Sequence, residues 1–168
     1  MAGIPAIQPV KNLELNKLVS GFGFRIHPIY KVKMMHTGCD FSASRGTPVY
    51  ATGDGVVRTV ARNAGGYGNE IEIDHGFGYV TKYAHLEKFN VRQGQRVKRG
   101  ELIGFVGSTG AATAPHLHYE VIRSGQKVNP VHYFFRDLNP AQYEKILQLA
   151  EVGIRVCRKL GLDYCFTY

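Results

Sequence analysis

His116-Leu117-His118 lies in a run where Leu117, Tyr119 and Val121 alternate with polar side chains. In a strand, residues i and i+2 face the same side, so both imidazoles point one way while Leu117 faces a core. Two imidazoles on one strand face make a ready pair for a divalent metal. A second pairing, His36-Thr37-Gly38-Cys39-Asp40, sets an imidazole and a carboxylate four residues apart. Thr37, Gly38 and the following Ser42-Ala43-Ser44-Arg45-Gly46-Thr47-Pro48 disfavour a helix, so this pair also belongs on strand or loop. That counts against the helical H-E-x-x-H protease motif, whose glutamate is also missing. The other histidines take plainer roles. His75, beside Asp74 at a turn, reads as a structural hydrogen-bonding residue. His27, in Arg25-Ile26-His27-Pro28, reads as structural or as part of a cleft rim, and His132 as a surface or tail-packing residue. Tyr67, Asn69 and Tyr83 suit either a groove lining or a core.

The elements that must position these residues are short strands between turns. Residues 1 to about 20 show no clear periodicity apart from Leu13–Leu18, which suits a helical turn. Gly53-Asp54-Gly55 is a hairpin signal between Val49-Tyr50-Ala51 and Val56–Val60. Ile71 and Ile73 alternate with Glu70, Glu72 and Asp74, the mark of a half-buried strand. Gly76-Phe77-Gly78 turns into Tyr79–His85, and His116–Ile122 alternates again. The chain then changes character: Asn139-Pro140 fits an N-cap followed by proline in the first turn. Tyr143, Ile146, Leu147, Ala150, Ile154 and Cys157 follow at helical spacing. Arg158 and Lys159 suit the negative end of that helix, and Gly161 its stop. Its apolar face is expected to dock on the β-domain.

The length of 168 residues suits one domain with a full core. Twenty glycines, falling between short apolar runs, punctuate it as a mainly β chain. The formal net charge of +8 favours an anionic partner, although Arg92, Arg96, Lys98 and Arg99 read first as a solvated turn face. Cys39, Cys157 and Cys165 make no zinc-finger spacing; Cys39 reads as a small buried hydrophobe. Whether Cys157 and Cys165 pair stays open. No window approaches the ~18 apolar residues of a membrane span. The start, MAGIPAIQPV, carries no export signal, so work outside the cytoplasm would make this chain a trimmed or partial one.

Several motifs in order resemble the lysostaphin-like, LytM-type zinc endopeptidases, which hydrolyse peptidoglycan. They are the H-x-G-x-D run His36–Asp40, then Arg45-Gly46-Thr47-Pro48-Val49-Tyr50-Ala51, Asp54-Gly55-Val56-Val57 and Tyr67-Gly68-Asn69. Tyr83-Ala84-His85-Leu86, Pro115-His116-Leu117-His118-Tyr119-Glu120 and Asn129-Pro130 follow. The resemblance covers residues 21 to 135. It implies a compact antiparallel β-sheet domain with a C-terminal α-helix outside the motif pattern. The implied division is an N-terminal segment (1–20), a zinc endopeptidase domain (21–135) and a helix packed on it (136–168).

The same resemblance implies that Zn2+ is held by His36, Asp40 and His118, with His85 and His116 as the catalytic histidines. Three protein ligands and an open fourth position describe a catalytic zinc site. Such a metal lowers the pKa of its bound water toward neutrality and polarises the scissile carbonyl. No glutamate base is identifiable, so His85 and His116 would assist in proton handling or oxyanion stabilisation, in roles left open. The expected substrate is an amide bond in stem-peptide cross-links of peptidoglycan, met in the periplasm, cell envelope or medium; no nucleic acid is expected. The alternative is a catalytically silent domain of this type that activates a wall amidase, against which the intact ligand and histidine set argues. Val91–Gly104 also resembles the small-barrel pattern of lipoyl carriers, but no hairpin-tip lysine accompanies it.

Overall fold

The computed structural model describes residues 3–12, 15–26 and 32–159, with residues 26 and 151–159 described by their backbone alone. His27, Gly161, Cys165 and the side chains of Ile154, Cys157, Arg158 and Lys159 therefore lie outside the described residues. Among the described residues thirteen strands run in chain order: β1 (Leu18–Ser20), β2 (Gly23–Ile26), β3 (Lys33–His36), β4 (Cys39–Ser42), β5 (Pro48–Tyr50), β6 (Gly55–Arg62) and β7 (Asn69–Gly76) come first. β8 (Tyr79–Ala84), β9 (Leu86–Phe89), β10 (Arg96–Val97), β11 (Leu102–Val106), β12 (His116–Arg123) and β13 (Gln126–Val128) follow. A 3-10 turn (Pro130–Tyr133) and helix α1 (Pro140–Lys159) complete the described chain. The fold is mainly β with one C-terminal helix.

The main sheet has the order β1-β4-β12-β8-β7-β6-β10, with β13 also paired to β12, and its pairings are antiparallel. Alternation decides its two faces. Ile71, Ile73, Tyr83, Leu117, Tyr119 and Val121 point into the core and are buried. His118 and Glu120 lie on the opposite face, which carries the site. A smaller sheet, β5-β11-β9, and the β2–β3 hairpin flank it.

Two sequence expectations are corrected. Gly53-Asp54-Gly55 is a turn but not a hairpin, because β5 pairs with β11 while β6 pairs with β7 and β10. The backbone of residues 50–51 is already engaged elsewhere: Tyr50 N–H donates to Pro9 O, Ala51 N–H to Glu101 O, and Gly100 N–H to Ala51 O. Leu13–Leu18 is not a helical turn in its described part. Leu15 has φ of 58°, Lys17 N–H donates to the Asn12 side chain, and Leu18 opens the edge strand β1. Residues 13 and 14 are outside the described set.

Helix α1 starts where Asn139-Pro140 placed it. Gln142 N–H donates to Asn139 Oδ1 (2.9 Å) and Asn139 N–H donates to Gln142 Oε1 (3.0 Å), a reciprocal capping box. Tyr143, Ile146, Leu147 and Ala150 face the β-domain, against β1, β2 and the 3-10 turn. Tyr143 OH donates to the backbone carbonyl of His132, whose ring is exposed. Gly21 touches the helix so closely that a Cβ there would lie 2.8 Å from Ala150 O. Ile146 is fully buried. Ile146→Ala should therefore cost about 2–5 kcal/mol, the usual range for an aliphatic core truncation. An unchanged melting temperature would show that the helix does not contribute to the core.

Arg92, Arg96 and Lys98 are exposed, as a solvated turn face requires, whereas Arg99 is half-buried with its N–H donating to Asp54 Oδ1. Cys39 is buried and unbridged. No helix among the described residues is long and apolar enough to cross a membrane.

Candidate metal centre

Sheet register brings the first two site residues together. On β12, His118 lies opposite Asp40 of β4 on one side and Ala84 of β8 on the other. His36 ends β3 and turns back into β4 through Thr37 and Gly38. A Cβ on Gly38 would sit 2.3 Å from Tyr119 O and 3.0 Å from the His118 ring, so only glycine lets this turn approach β12. All three side chains are buried. His118 Nδ1 lies 2.8 Å from Asp40 Oδ1, and His36 Nε2 lies 3.1 Å from both of those atoms.

The outer atom of each residue faces a partner of defined polarity. His36 Nδ1 sits 2.7 Å from Gly21 O, and a carbonyl can only accept, so Nδ1 carries the proton and Nε2 the lone pair. His118 Nε2 donates to Glu120 Oε1 at 3.1 Å, which leaves Nδ1 facing inward. Asp40 Oδ2 accepts from Arg25 Nη2 at 2.9 Å, which leaves Oδ1 facing inward. Three lone pairs thus converge where only a cation or a proton can stabilise them. Without a metal, a proton does so. Burial alone would lower the His118 pKa, but hydrogen bonds and attraction from Asp40 and Glu120 raise it to about 9. Burial likewise opposes ionisation of Asp40, yet His36 and His118 hold its carboxyl well below the usual range.

This donor set fits a zinc ion. Two imidazole nitrogens and one carboxylate oxygen form a common zinc trio, and bonds of ~2.0–2.1 Å in a tetrahedron set ligand atoms about 3.3 Å apart. The observed triangle is only slightly tighter than that.

His85 and His116 stand beside the triangle. Their ring centroids are 4.7 Å apart, and His116 Nε2 is 4.0 Å from Asp40 Oδ1. Each is anchored through Nδ1: His85 donates to Thr109 O and His116 to Ala114 O, both at 2.8 Å. Both therefore direct Nε2 away from their carbonyl anchors. His85 adopts φ of 59° between β8 and β9, an uncommon backbone region for a non-glycine residue. Burial, then the proximity of His116, lowers its pKa to about 4. All five residues line one cavity of about 340 Å³, which Arg25 and Tyr67 share.

A model of peptidase family M23 matches residues 34–130. The chain belongs to that family. Over 122 residues the M23 chain is 51% identical to the DD-carboxypeptidase/endopeptidase Mpg of Neisseria meningitidis serogroup B, covering 73% of this chain and 28% of that protein. It is 50% identical over 105 residues to the peptidoglycan DD-endopeptidase ShyA of Vibrio cholerae, covering 62% of this chain and 24% of that protein. The chain thus spans about a quarter of the length of these curated relatives. Among solved structures, a zinc-containing peptidase from Vibrio cholerae matches with a TM-score of 0.66 and 40% identity, covering 78% of this chain and 39% of that one. The catalytic domain of lysostaphin from Staphylococcus simulans matches with a TM-score of 0.65 and 35% identity, covering 73% and 94%.

The remaining sequence assignments fall into place around this M23 site. His75 is a structural residue: Nδ1 donates to Asp54 O and Nε2 meets Thr81 Oγ1 at 2.7 Å. Tyr83 is core, whereas Tyr67 lines the cavity and Asn69 braces the Leu86 carbonyl. Residue typing alone missed two contributors, Arg25 and Glu120. Glu120 was within reach, since the alternation that pairs His116 with His118 puts residue 120 on the same face. Arg25 reaches Asp40 from another sheet and has no such signal.

Proposed function

We propose that this chain is the catalytic domain of a zinc-dependent peptidoglycan endopeptidase, with His36, Asp40 and His118 as the metal ligands. The observation that carries this reading is the convergence of three lone pairs beside two carbonyl-anchored histidines in one cavity. Bound there, zinc would supply an acidified water and a polarised scissile carbonyl. His36, Asp40 and His118 hold it, each turned inward by its outer partner. His85, neutral at ordinary pH, offers the Nε2 lone pair and takes a proton from the attacking water. His116 presents Nε2 across the cavity beside the His85 ring and passes that proton on to the departing amine. Residues 21–135 form the peptidase unit in this reading, with 1–20 as an N-terminal segment and the described part of helix α1 packed on the unit through Tyr143, Ile146, Leu147 and Ala150.

The relatives' names support a substrate. Because relatives at about 50% identity are named DD-endopeptidases, the substrate proposed for this chain is the stem-peptide cross-link between D-alanine and diaminopimelate rather than a glycine bridge. Such a substrate supports a site of action outside the cytoplasm, and the basic balance of the chain suits an anionic wall. Purified peptidoglycans of both cross-link types, incubated with the protein and resolved by fragment mass, should show cleavage of the D-alanine–diaminopimelate type. Cleavage restricted to polyglycine would overturn this substrate, and cleavage of neither polymer by the zinc-loaded protein would refute the function.

A further inference from the structure

Glu120 is the one carboxylate on the site face of β12 that no ligand or catalytic role accounts for, and its side chain is fully buried. A buried carboxylate is costly unless its charge is matched. Here one oxygen collects four donors. Oε1 accepts from His118 Nε2 (3.1 Å), Tyr67 OH (2.8 Å), Lys127 Nζ (3.0 Å) and Thr37 Oγ1. Oε2 has no hydrogen-bond partner among the described residues. Lys127 is the counter-ion, and its Nζ also reaches Tyr67 OH (2.8 Å) and Thr37 Oγ1 (3.3 Å). The four donors come from four places: the β3–β4 turn, the turn before β7, β12 itself and β13. Such convergence on one atom leaves Glu120 no freedom to turn away from His118.

An imidazole can present either nitrogen to a cation, and the two presentations differ by a ring flip. A carboxylate at one nitrogen removes that choice, because it only accepts and keeps that nitrogen protonated. We propose that Glu120 is a positioning residue for the metal centre: it fixes His118 as the Nε2–H tautomer with Nδ1 toward the cation, and Lys127, Tyr67 and Thr37 lock it in place. This rests on the ligand reading above. Outer hydrogen-bond partners of metal-bound histidines typically contribute ~10–100-fold in metal affinity. Because Tyr67 also lines the cavity, the lock joins the groove wall to the ligand.

Metal-stripped protein, titrated with zinc against a chromophoric chelator and separately with cobalt(II) for its visible absorption, tests this without substrate. Glu120→Leu should weaken zinc about 10–100-fold and change the cobalt spectrum. Glu120→Gln keeps an acceptor opposite His118, though a weaker one. It should fall between wild type and the leucine variant in affinity, with a spectrum close to wild type. If Glu120→Leu does not fold, the glutamine variant decides, and affinity equal to wild type refutes the proposal. Equal losses in folded Leu and Gln variants, or an unchanged spectrum and affinity in Leu, would also refute it. Failure of the wild-type protein to bind zinc would instead remove the ligand reading, and this proposal with it.

Discussion

Asp40→Ala and His118→Ala should purify with little zinc and lose hydrolysis by on the order of 10⁴-fold or more, since the acidified water goes with the metal. His36→Ala should behave alike. Each removes one corner of a triangle whose sides are 2.8–3.1 Å, so the remaining two donors cannot close the site. Chelation of the native protein should do the same, and added zinc should restore activity. The pH dependence has a definite sign. In the metal-free protein the His118 pKa is raised to about 9, so a cation must expel the Nδ1 proton to bind at neutral pH. Zinc affinity should therefore fall as pH falls. The metal-free fold has the opposite dependence at this group: protonated His118 stabilises it fully below the unfolded value near 6.5. That contribution is lost as pH rises through about 9. Retention of zinc and full turnover by Asp40→Ala would exclude the ligand set.

His85→Ala and His116→Ala should separate chemistry from metal binding. Both leave the three donors and their outer partners untouched, so zinc content should match the wild type. Turnover should fall about 10²–10⁴-fold, the range for losing a general base or an oxyanion donor. For His85 the pH profile adds a second reading. Burial and His116 lower its pKa to about 4, so its base form persists well below the usual histidine range. The acid limb of kcat/KM should fall near pH 4 or below, because a nearby cation depresses a histidine pKa further. Neutral His85 also stabilises the fold above pH ~6.5, and this is lost as pH falls through about 4. Loss of zinc from His116→Ala with retention in His118→Ala would reverse the assignment within the strand pair. Full activity in both His85→Ala and His116→Ala would take the two histidines out of the mechanism.

Much of the positioning was legible because it is local. Period-two alternation along 116–122 places His116, His118 and Glu120 on one face without reference to any other strand, and the core-facing Leu117, Tyr119 and Val121 are buried accordingly. The N-cap at Asn139 and the apolar stripe through Ala150 are likewise properties of consecutive residues, and α1 forms where they predict it. Gly38 within the H-x-G-x-D run reads from sequence only as disfavouring a helix, and the close approach to Tyr119 O shows why a glycine stands there.

Pairing and protonation had to wait for the tertiary structure. Gly53-Asp54-Gly55 carries every local sign of a hairpin, yet its flanking strands enter different sheets, because partners distant in sequence had already taken the backbone of residues 50–51. The tautomers of four histidines depend on Gly21 O, Thr109 O, Ala114 O and the Glu120 carboxylate. Three of these are backbone carbonyls, which every residue possesses and no sequence pattern marks. His36 and His118 stand 82 residues apart, and Arg25 reaches Asp40 across a sheet boundary. The sequence by itself determined which atoms were available and which strand face they share. Only the packing of three sheets decided which nitrogen of each imidazole carries a proton, and therefore that three lone pairs meet at one point.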